Sequence, residues 1–279
     1  MIVLGGLAFE AEPTERLSAA ECEVLDRLSI VSGSEAPGRG DPPFVLKLEE
    51  GPGLGPPSED DLGAATIDWD GTRVRIRHRR LDATLDPFAG RGRLRRDASL
   101  GWPLEVTLRT ALAARLPLQG GLPLHAAGVV VDGLGVAFFG PSGAGKSTIA
   151  GTSPHPVLSD EMVAIVPAPV VSGRPGSYGV AGTGFWGTLG QRAAPAGLFP
   201  LAALFELDRG PGTRTERLDS REATRRLIAS VLVPPAPPLW AAALSSIGHI
   251  ARGVPVMRLA WNPAEPPWPA IEAALCGAR

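Results

Sequence analysis

The sequence predicts an α/β protein in which a strand, a glycine-rich loop and a helix follow a smaller mixed α+β N-terminal region. Three observations predict it. The stretch "GVAFFGPSGAGKSTIA", residues 135–150, passes from an apolar run through glycines into a helix opening. A second β-rich run precedes it and joins it at Asp132-Gly133, a pair that favours a tight turn. An acidic pair follows soon after a further apolar run. We place the boundary between residues 1–118 and 119–279.

The N-terminal region contains one helix signal and one hairpin signal. "LSAAECEVLDRL" has apolar residues at helical intervals, and Ser18 followed three residues later by Glu21 has the spacing of a capping box. "ATIDWDGTRVRIRH" alternates in polarity on both sides of Asp70-Gly71, which predicts two strands and a tight hairpin. Turn-rich stretches are predicted at 35–43 and 51–57 because of their glycines and prolines.

The later region alternates predicted strands and helices. "PLEVTLRTALAARLPLQGG", residues 103–121, predicts a helix that ends at a glycine cap. After the loop, "PVLSDEMVAIVPAPVVSG" predicts two extended runs and "PLAALFELDRG" a buried strand. A helix capped by Asp219 or Ser220 is predicted at 219–232. The stretch 234–279 predicts a helix, a strand and a terminal helix.

Composition and charge narrow the class of protein. The chain has 279 residues, 44% of them apolar and 20% charged, which is typical of a soluble globular protein. A net charge of -2 offers no basic field, so we expect neither nucleic acid nor membrane as a partner. "RVRIRHRR", residues 73–80, indicates the solvated face of a strand rather than a binding site. Two cysteines without metal-site spacing, and the lack of a signal-peptide pattern, favour a cytoplasmic location.

The glycine loop fits the pattern G-x-x-x-x-G-K-[ST]. In such a loop, backbone N–H groups surround a phosphate, and glycines are needed because a Cβ would obstruct that approach. Lys146, one of only two lysines, would lie along the β- and γ-phosphates of ATP, and the Ser147 hydroxyl would bind Mg²⁺. The alternative is a glycine turn that binds nothing. The candidate nucleotide-binding residues are Gly140, Pro141, Ser142, Gly143, Ala144, Gly145, Lys146, Ser147 and Thr148.

Asp160 and Glu161 follow the loop so closely that a compact β-α-β unit is predicted, with Asp160 facing the γ-phosphate. One carboxylate beside Mg²⁺ holds the ion, and another accepts the proton of an attacking hydroxyl. Adjacent residues of a strand point to opposite faces of the sheet. Both acids can therefore act at one site only where the strand has ended before them. Either acid is otherwise a solvated residue at a strand end. His125, taken alone, is more often a structural histidine than a catalytic one.

Residues 122–166 resemble the catalytic domain of the HPr kinase/phosphorylase family, in which a His-containing strand, a "GPSGxGKS" loop and an acidic pair occur in this order. The resemblance implies a phosphoenolpyruvate-carboxykinase-like α/β fold with a P-loop, and an ATP-dependent kinase that uses Mg²⁺. It implies Asp160 as the base toward a substrate serine, Glu161 as the second acid, and His125 near the phosphates. The implied catalytic set is Asp160, His125 and Lys146, and the metal set is Ser147, Asp160 and Glu161. Related kinases form hexamers, which implies a homo-oligomer.

The chain also departs from that family. It has Asp-Glu where those enzymes have Asp-Asp, and "GTGFWG" stands in the place of their Arg-Gly-x-Gly signature. "GVAGTGFWG" and the segment beginning "PLAALFELDRG" resemble HPr-kinase-related proteins found near peptide-modification genes, some of them similar to kinases of lasso-peptide precursors. The implied acceptor is thus a hydroxyl, in particular that of a serine, on a peptide or protein other than HPr. A regulatory module that binds ATP without transferring phosphate is the alternative.

Two features near the expected acceptor site remain open at this point. Thr183 and Gly184 either line an acceptor pocket or belong to a glycine-rich turn packed by Phe185 and Trp186. Arg192 is a weak candidate for neutralising the charge of the transferred group, and an exposed arginine is the simpler interpretation.

Overall fold

The computed structural model describes residues 1–14, 16–31, 42–51, 64–168, 178–190 and 194–276 as a mixed α/β protein with two sheets and six helices. The first sheet comprises β1 (Ile2–Leu4), β2 (Leu7–Pro13), β3 (Phe44–Glu50), β4 (Thr66–Trp69), β5 (Val74–His78), β6 (Leu81–Asp86) and β7 (Arg91–Arg96). The second comprises β8 (Leu122–Leu124), β9 (Ala126–Val131), β10 (Leu134–Phe139), β11 (Val157–Ser159), β12 (Val163–Pro167), β13 (Tyr178–Gly182), β14 (Leu198–Arg209), β15 (Arg214–Arg217) and β16 (Val256–Trp261). The helices are α1 (Ala19–Val31), α2 (Trp102–Leu118), α3 (Lys146–Gly151), α4 (Ser220–Ile228), α5 (Pro237–Gly253) and α6 (Trp268–Cys276).

The first sheet is mixed, with strand order β1-β2-β3-β7-β6-β5-β4. Helix α1 begins with the predicted capping box: the Ser18 N–H donates to Glu21 Oε2 at 2.9 Å, and the Glu21 N–H donates to Ser18 Oγ at 3.2 Å. The Glu21 carboxylate also pairs with Arg96 at the end of β7, at 2.6 Å between Oε1 and Nε. Both side chains are almost completely buried, so this pair joins the helix to the sheet.

The solvent-exposed face of β5 in that sheet carries charged side chains that pair with side chains of opposite charge. Val74 and Ile76 of β5 are buried, whereas Arg75 and Arg77 are exposed and pair with Asp70 and Asp68, each at 2.8 Å. This arrangement confirms a solvated strand face for Arg75 and Arg77, whereas Arg80 at the end of "RVRIRHRR" is buried and pairs with Asp97.

The two predicted hairpins differ in their loops. Asp132 and Gly133 form a two-residue turn with φ angles of 51° and 79°, because Val131 pairs directly with Leu134. The hairpin at Asp70-Gly71 has a four-residue loop instead, because the last strand pair joins Trp69 and Val74. The Asp70 carboxylate accepts the N–H groups of the two residues before β5, and these bonds widen the turn.

In the second sheet, β10, β14 and β16 are parallel neighbours, so their carboxyl ends meet at one edge. Val136 and Phe138 of β10 face a core formed with α3 and α6, whereas Ala137 and Phe139 face a core formed with α4 and α5. Strand β11 is parallel to β10, with the antiparallel strand β9 between them. The predicted β-α-β unit is therefore present, and its crossover passes over β9.

Helix α2 connects the two sheets. Its apolar residues share one core with strands of the first sheet and with Met162, Ala164 and Val166 from the β12 region. It ends as predicted, with Gly120 at φ 73° and the Gly121 N–H donating to Leu116 O at 2.9 Å. The proposed boundary after residue 118 coincides with the end of this helix and stays a prediction.

The remaining sequence predictions agree with the structure or fall outside it. Asp219 caps α4 by accepting the Glu222 N–H at 2.8 Å, and α5, β16 and α6 occupy the last stretch in the predicted order. The turn-rich stretches at 35–43 and 51–57 lie almost entirely outside the described residues, as does Arg192. No helix within the described ranges is long and apolar enough to cross a membrane.

Candidate functional site

The glycine loop lies between β10 and α3 and needs its glycines for conformational reasons. Gly140, Gly143 and Gly145 have φ angles of 148°, 79° and 104°, a region that side chains other than glycine rarely adopt. A Cβ on Gly145 would also lie 2.6 Å from Cζ2 of Trp261, which is buried at the end of β16. Loop shape is thus set both by backbone conformation and by a buried aromatic ring.

Lys146 folds back over the loop that precedes it. Its Nζ donates to the carbonyl oxygens of Gly140 at 3.0 Å and Pro141 at 3.2 Å, and the residue is 7% exposed. Burial lowers the pKa of the ammonium below its usual range, while the negative charge of Glu161 opposes that shift. The loop and the second acid lie at the same edge of the second sheet, because they follow the parallel strands β10 and β11. Ser147 and Thr148 follow in the first turn of α3, half-buried and exposed.

The acid pair lies where β11 has ended. The Ser159 hydroxyl accepts the N–H groups of Glu161 and Met162, each at 3.0 Å, and donates to Phe185 O at 2.8 Å. These bonds turn the chain out of the strand, as serine hydroxyls commonly do at turns. Asp160 and Glu161 therefore no longer alternate between faces, which satisfies the condition for both to serve one site.

Both carboxylates border Gly187. A Cβ on that glycine would lie 3.0 Å from Glu161 Oε2 and 3.3 Å from Asp160 Oδ2. Asp160 is 2% exposed, and its oxygens accept the N–H groups of Gly187 at 2.8 Å and Leu189 at 3.0 Å. The segment 187–189 thus orients the Asp160 carboxylate and also covers it.

Glu161 lies between two cationic or potentially cationic side chains. Its Oε2 is 3.9 Å from His125 Nδ1, and its Oε1 is 3.7 Å from Arg109 Nη1. His125 Nδ1 is 2.9 Å from the Glu161 carbonyl oxygen, and because a carbonyl only accepts, Nδ1 carries the proton in this contact. The structure therefore brings His125 to Glu161, and its expected place near the phosphates stays a prediction.

The glycine-rich stretch after β13 serves a structural purpose at Thr183. This residue is fully buried, its hydroxyl donates to Met162 O at 2.7 Å, and it accepts the Phe185 N–H at 3.4 Å. Phe185 is fully buried and Gly184 has φ 75°. Of the two interpretations left open for this stretch, these contacts favour the packed turn over an acceptor pocket lined by Thr183.

Sequence reasoning missed two arginines at this site. Arg109 comes from α2, and its only local signal is the i,i+4 pair with Glu105 on an otherwise apolar helix. Arg209 ends β14 and donates to Gly143 O at 3.1 Å. It is the last residue of this strand, and β14 pairs in parallel with β10, which brings Arg209 beside the loop. The sequence alone does not reveal that pairing.

The residues at the acid pair fit a magnesium ion that is shared with a nucleotide. No three His, Cys, Asp or Glu side chains cluster as a metal site within the part of the chain described. Mg²⁺ is usually held by one or two carboxylates together with substrate phosphates and water, so a complete protein cage is not needed. Asp160 and Glu161, whose oxygens border the same glycine, offer carboxylates of the kind it prefers.

Comparison with known proteins finds a family model and solved structures that match parts of the chain. A model of the family described as SynChlorMet cassette protein ScmC matches residues 104–235, somewhat less than half of the chain. The solved structure of the Hpr(Ser) kinase/phosphatase from Coxiella burnetii matches 44% of this chain and 87% of its own, with 18% sequence identity and a TM-score of 0.20. No curated protein matches the chain. The α/β architecture is established by the sheets and helices of the protein itself.

Proposed function

We propose that this protein is an ATP-dependent kinase that transfers the γ-phosphoryl group to a hydroxyl, in particular that of a serine, on a peptide or protein. One observation carries the proposal: a glycine loop of the phosphate-binding pattern follows β10 and an acid pair follows β11, and because these two strands run parallel, both lie at the same edge of the sheet. One carboxylate can hold Mg²⁺ beside a nucleotide, which leaves the other to take the proton of an acceptor hydroxyl.

In this proposal the loop backbone and Lys146 hold the phosphates of ATP, and Asp160 acts on the acceptor. The acceptor oxygen forms a bond to the γ-phosphorus while the bond from that phosphorus to the β,γ-bridging oxygen breaks, and ADP leaves. Asp160 takes the hydroxyl proton. Each oxygen of its carboxylate already accepts one backbone N–H and keeps a second lone pair for this purpose.

Ser147 and Glu161, with Asp160, are the candidate ligands for Mg²⁺. When bound, the ion supplies neutralisation of the negative charge on the β- and γ-phosphates. His125, hydrogen-bonded to the Glu161 carbonyl, holds the segment that carries these acids.

Support for a peptide or protein acceptor comes from the later segments of the chain. They resemble HPr-kinase-related proteins near peptide-modification genes, and the matched family is described as a cassette protein. We therefore propose an acceptor encoded beside this protein, and a homo-oligomer and a cytoplasmic location as its setting.

Two substitutions test the assignment. Asp160→Asn should leave ATP binding within about twofold and reduce transfer to an acceptor peptide by at least about a hundredfold, because it removes the proton acceptor. Lys146→Ala should weaken both, because it removes a charge from the phosphates. Binding is measured with a fluorescent ATP analogue and transfer with radiolabelled ATP. Phosphoryl transfer by Asp160→Asn at the wild-type rate would contradict the assignment of Asp160 as the base.

One observation favours a second candidate, a regulatory module that binds ATP without transferring phosphate. The segment 187–189 covers Asp160, so a substrate hydroxyl reaches the carboxylate only when that segment moves aside. Tight ATP binding together with no phosphorylated product from any candidate peptide would favour the module over the kinase.

A further inference from the structure

Arg109 brings a guanidinium from α2 to the acid pair. Its Nη1 is 3.7 Å from Glu161 Oε1, and its Cζ lies 5.1 Å from the ring centroid of Phe185, a distance at which a cation and an aromatic face attract each other. Glu161 in turn acts on Lys146 through its charge. Because Glu161 follows β11, which is parallel to β10, Arg109 reaches the edge of the sheet at which the glycine loop begins.

The N–H donors of Arg109 form few and only long hydrogen bonds with other residues of the protein. Its Nη2 donates to Glu105 Oε1 at 3.5 Å, and its buried Nε has no hydrogen-bond partner among the residues that the structure describes. Glu105 is also shared with Arg27. Charge-assisted hydrogen bonds of arginine are normally about 2.7–2.9 Å long.

A structural arginine of the same protein shows the contrast. Arg96 holds Glu21 through two hydrogen bonds, at 2.6 Å and 3.1 Å, and both side chains are buried. Arg109 instead is 34% exposed in its side chain, is kept in place by stacking and by two long ion pairs, and retains donors on the side of the acid pair. Such a guanidinium is suited to a further anionic partner.

A triphosphate provides that partner. Its outer phosphate would add negative charge beside two carboxylates, and apart from Mg²⁺ the loop offers a single lysine to offset it. Resting on the proposed function, we propose that Arg109 contacts oxygens of the γ-phosphoryl group of bound ATP. Helix α2, which lies before the loop-containing region, thereby supplies a phosphate-binding residue of the site.

The experiment compares ADP with a non-hydrolysable ATP analogue that carries a γ-phosphate, each titrated calorimetrically into the full-length protein with Mg²⁺. Arg109→Gln should weaken analogue binding about tenfold or more and leave ADP binding within about twofold, because a charge-assisted contact to the γ-phosphate alone is lost. Arg109→Lys, which keeps the charge but not the planar fork, should fall between. Arg115→Gln is the matched control: it lies on the same helix, and its Nη1 donates to Pro87 O at 2.8 Å.

The outcomes separate this inference from the proposed function. Repetition without Mg²⁺ should preserve the selective loss, whereas a loss that disappears without the metal would mean that Arg109 acts only through Glu161 and would overturn the inference. Equal weakening of both nucleotides, or none, in both Arg109 variants also overturns it. Lys146→Ala should weaken both nucleotides, because the lysine is expected to contact the β-phosphate as well as the γ-phosphate. If it weakens neither, the proposed nucleotide site itself is wrong.

Discussion

Gly145 is subject to two constraints that only glycine satisfies together. Its φ of 104° lies in a region that costs other residues free energy, and the ring of Trp261 occupies the space where a Cβ would project. Because Trp261 is 1% exposed and surrounded by the core of α3 and α6, it cannot simply move away. The loop sequence therefore reflects packing as well as the phosphate binding that we propose.

Substitution of this glycine should show both constraints. Gly143 has a φ of 79°, but a methyl group added there would have no neighbouring atom within 4 Å, so Gly143→Ala should cost only the conformational strain, about 1–2 kcal/mol in free energy of unfolding. Gly145→Ala should cost a further ~1–3 kcal/mol because the methyl group overpacks the ring. Urea denaturation monitored by circular dichroism measures both. Equal losses in the two variants would contradict the packing constraint.

At the scale of elements, α4 packs Ala223 and Leu227 into the core and carries a cap and ion pairs at its first turn. Asp219 caps it, and Glu222 in its first turn pairs with Arg225 at 2.7 Å and Arg226 at 2.8 Å. Hydrogen bonds from Arg225 and then from Arg226 lower the pKa of the Glu222 carboxyl from 4.5 to about 2. The carboxylate is thus held in its charged form by the folded helix.

This shift predicts a pH dependence with a definite sign. A carboxyl whose pKa is lower in the folded state stabilises the fold above its unfolded pKa, and that contribution is lost as the pH falls toward the folded value. Glu222→Gln should therefore lower the Tm at pH 6, and its difference from wild type should shrink as the pH falls from about 4.5 toward about 2. For Arg225→Gln, the Tm difference from wild type should be smaller and should likewise shrink as the pH falls. A Tm difference that stays constant over this range would contradict the prediction.

Over the whole molecule, the sequence predicted the features that depend on neighbouring residues. The capping box of Ser18 and Glu21, the two-residue turn at Asp132-Gly133 and the loop before Lys146 are local patterns, and each has the predicted form. Features that depend on distant pairing were missed. Arg109 reaches the acid pair only because α2 packs between the sheets, and the cover over Asp160 comes from amides 27 and 29 positions away.

The same long-range packing predicts how the chain divides. Eleven residues of α2 are buried, and seven apolar ones among them share a core with Met162 and Phe185 of the later region, so residues 119–279 alone would expose apolar surface to water. A fragment that begins at residue 102 should unfold cooperatively, whereas one that begins at residue 119 should show no sharp thermal transition and should bind a dye specific for exposed apolar surface.

Calorimetry of the two fragments beside the full chain decides between these outcomes. The fragment that keeps α2 also keeps Arg109. The two fragments therefore show whether the helix that supplies Arg109 is needed for the fold of the region that contains the loop. If the shorter fragment unfolds as sharply as the longer one and at the same temperature, α2 adds nothing to the fold of the later region. The boundary after residue 118 would then be a domain boundary, and otherwise it lies before α2.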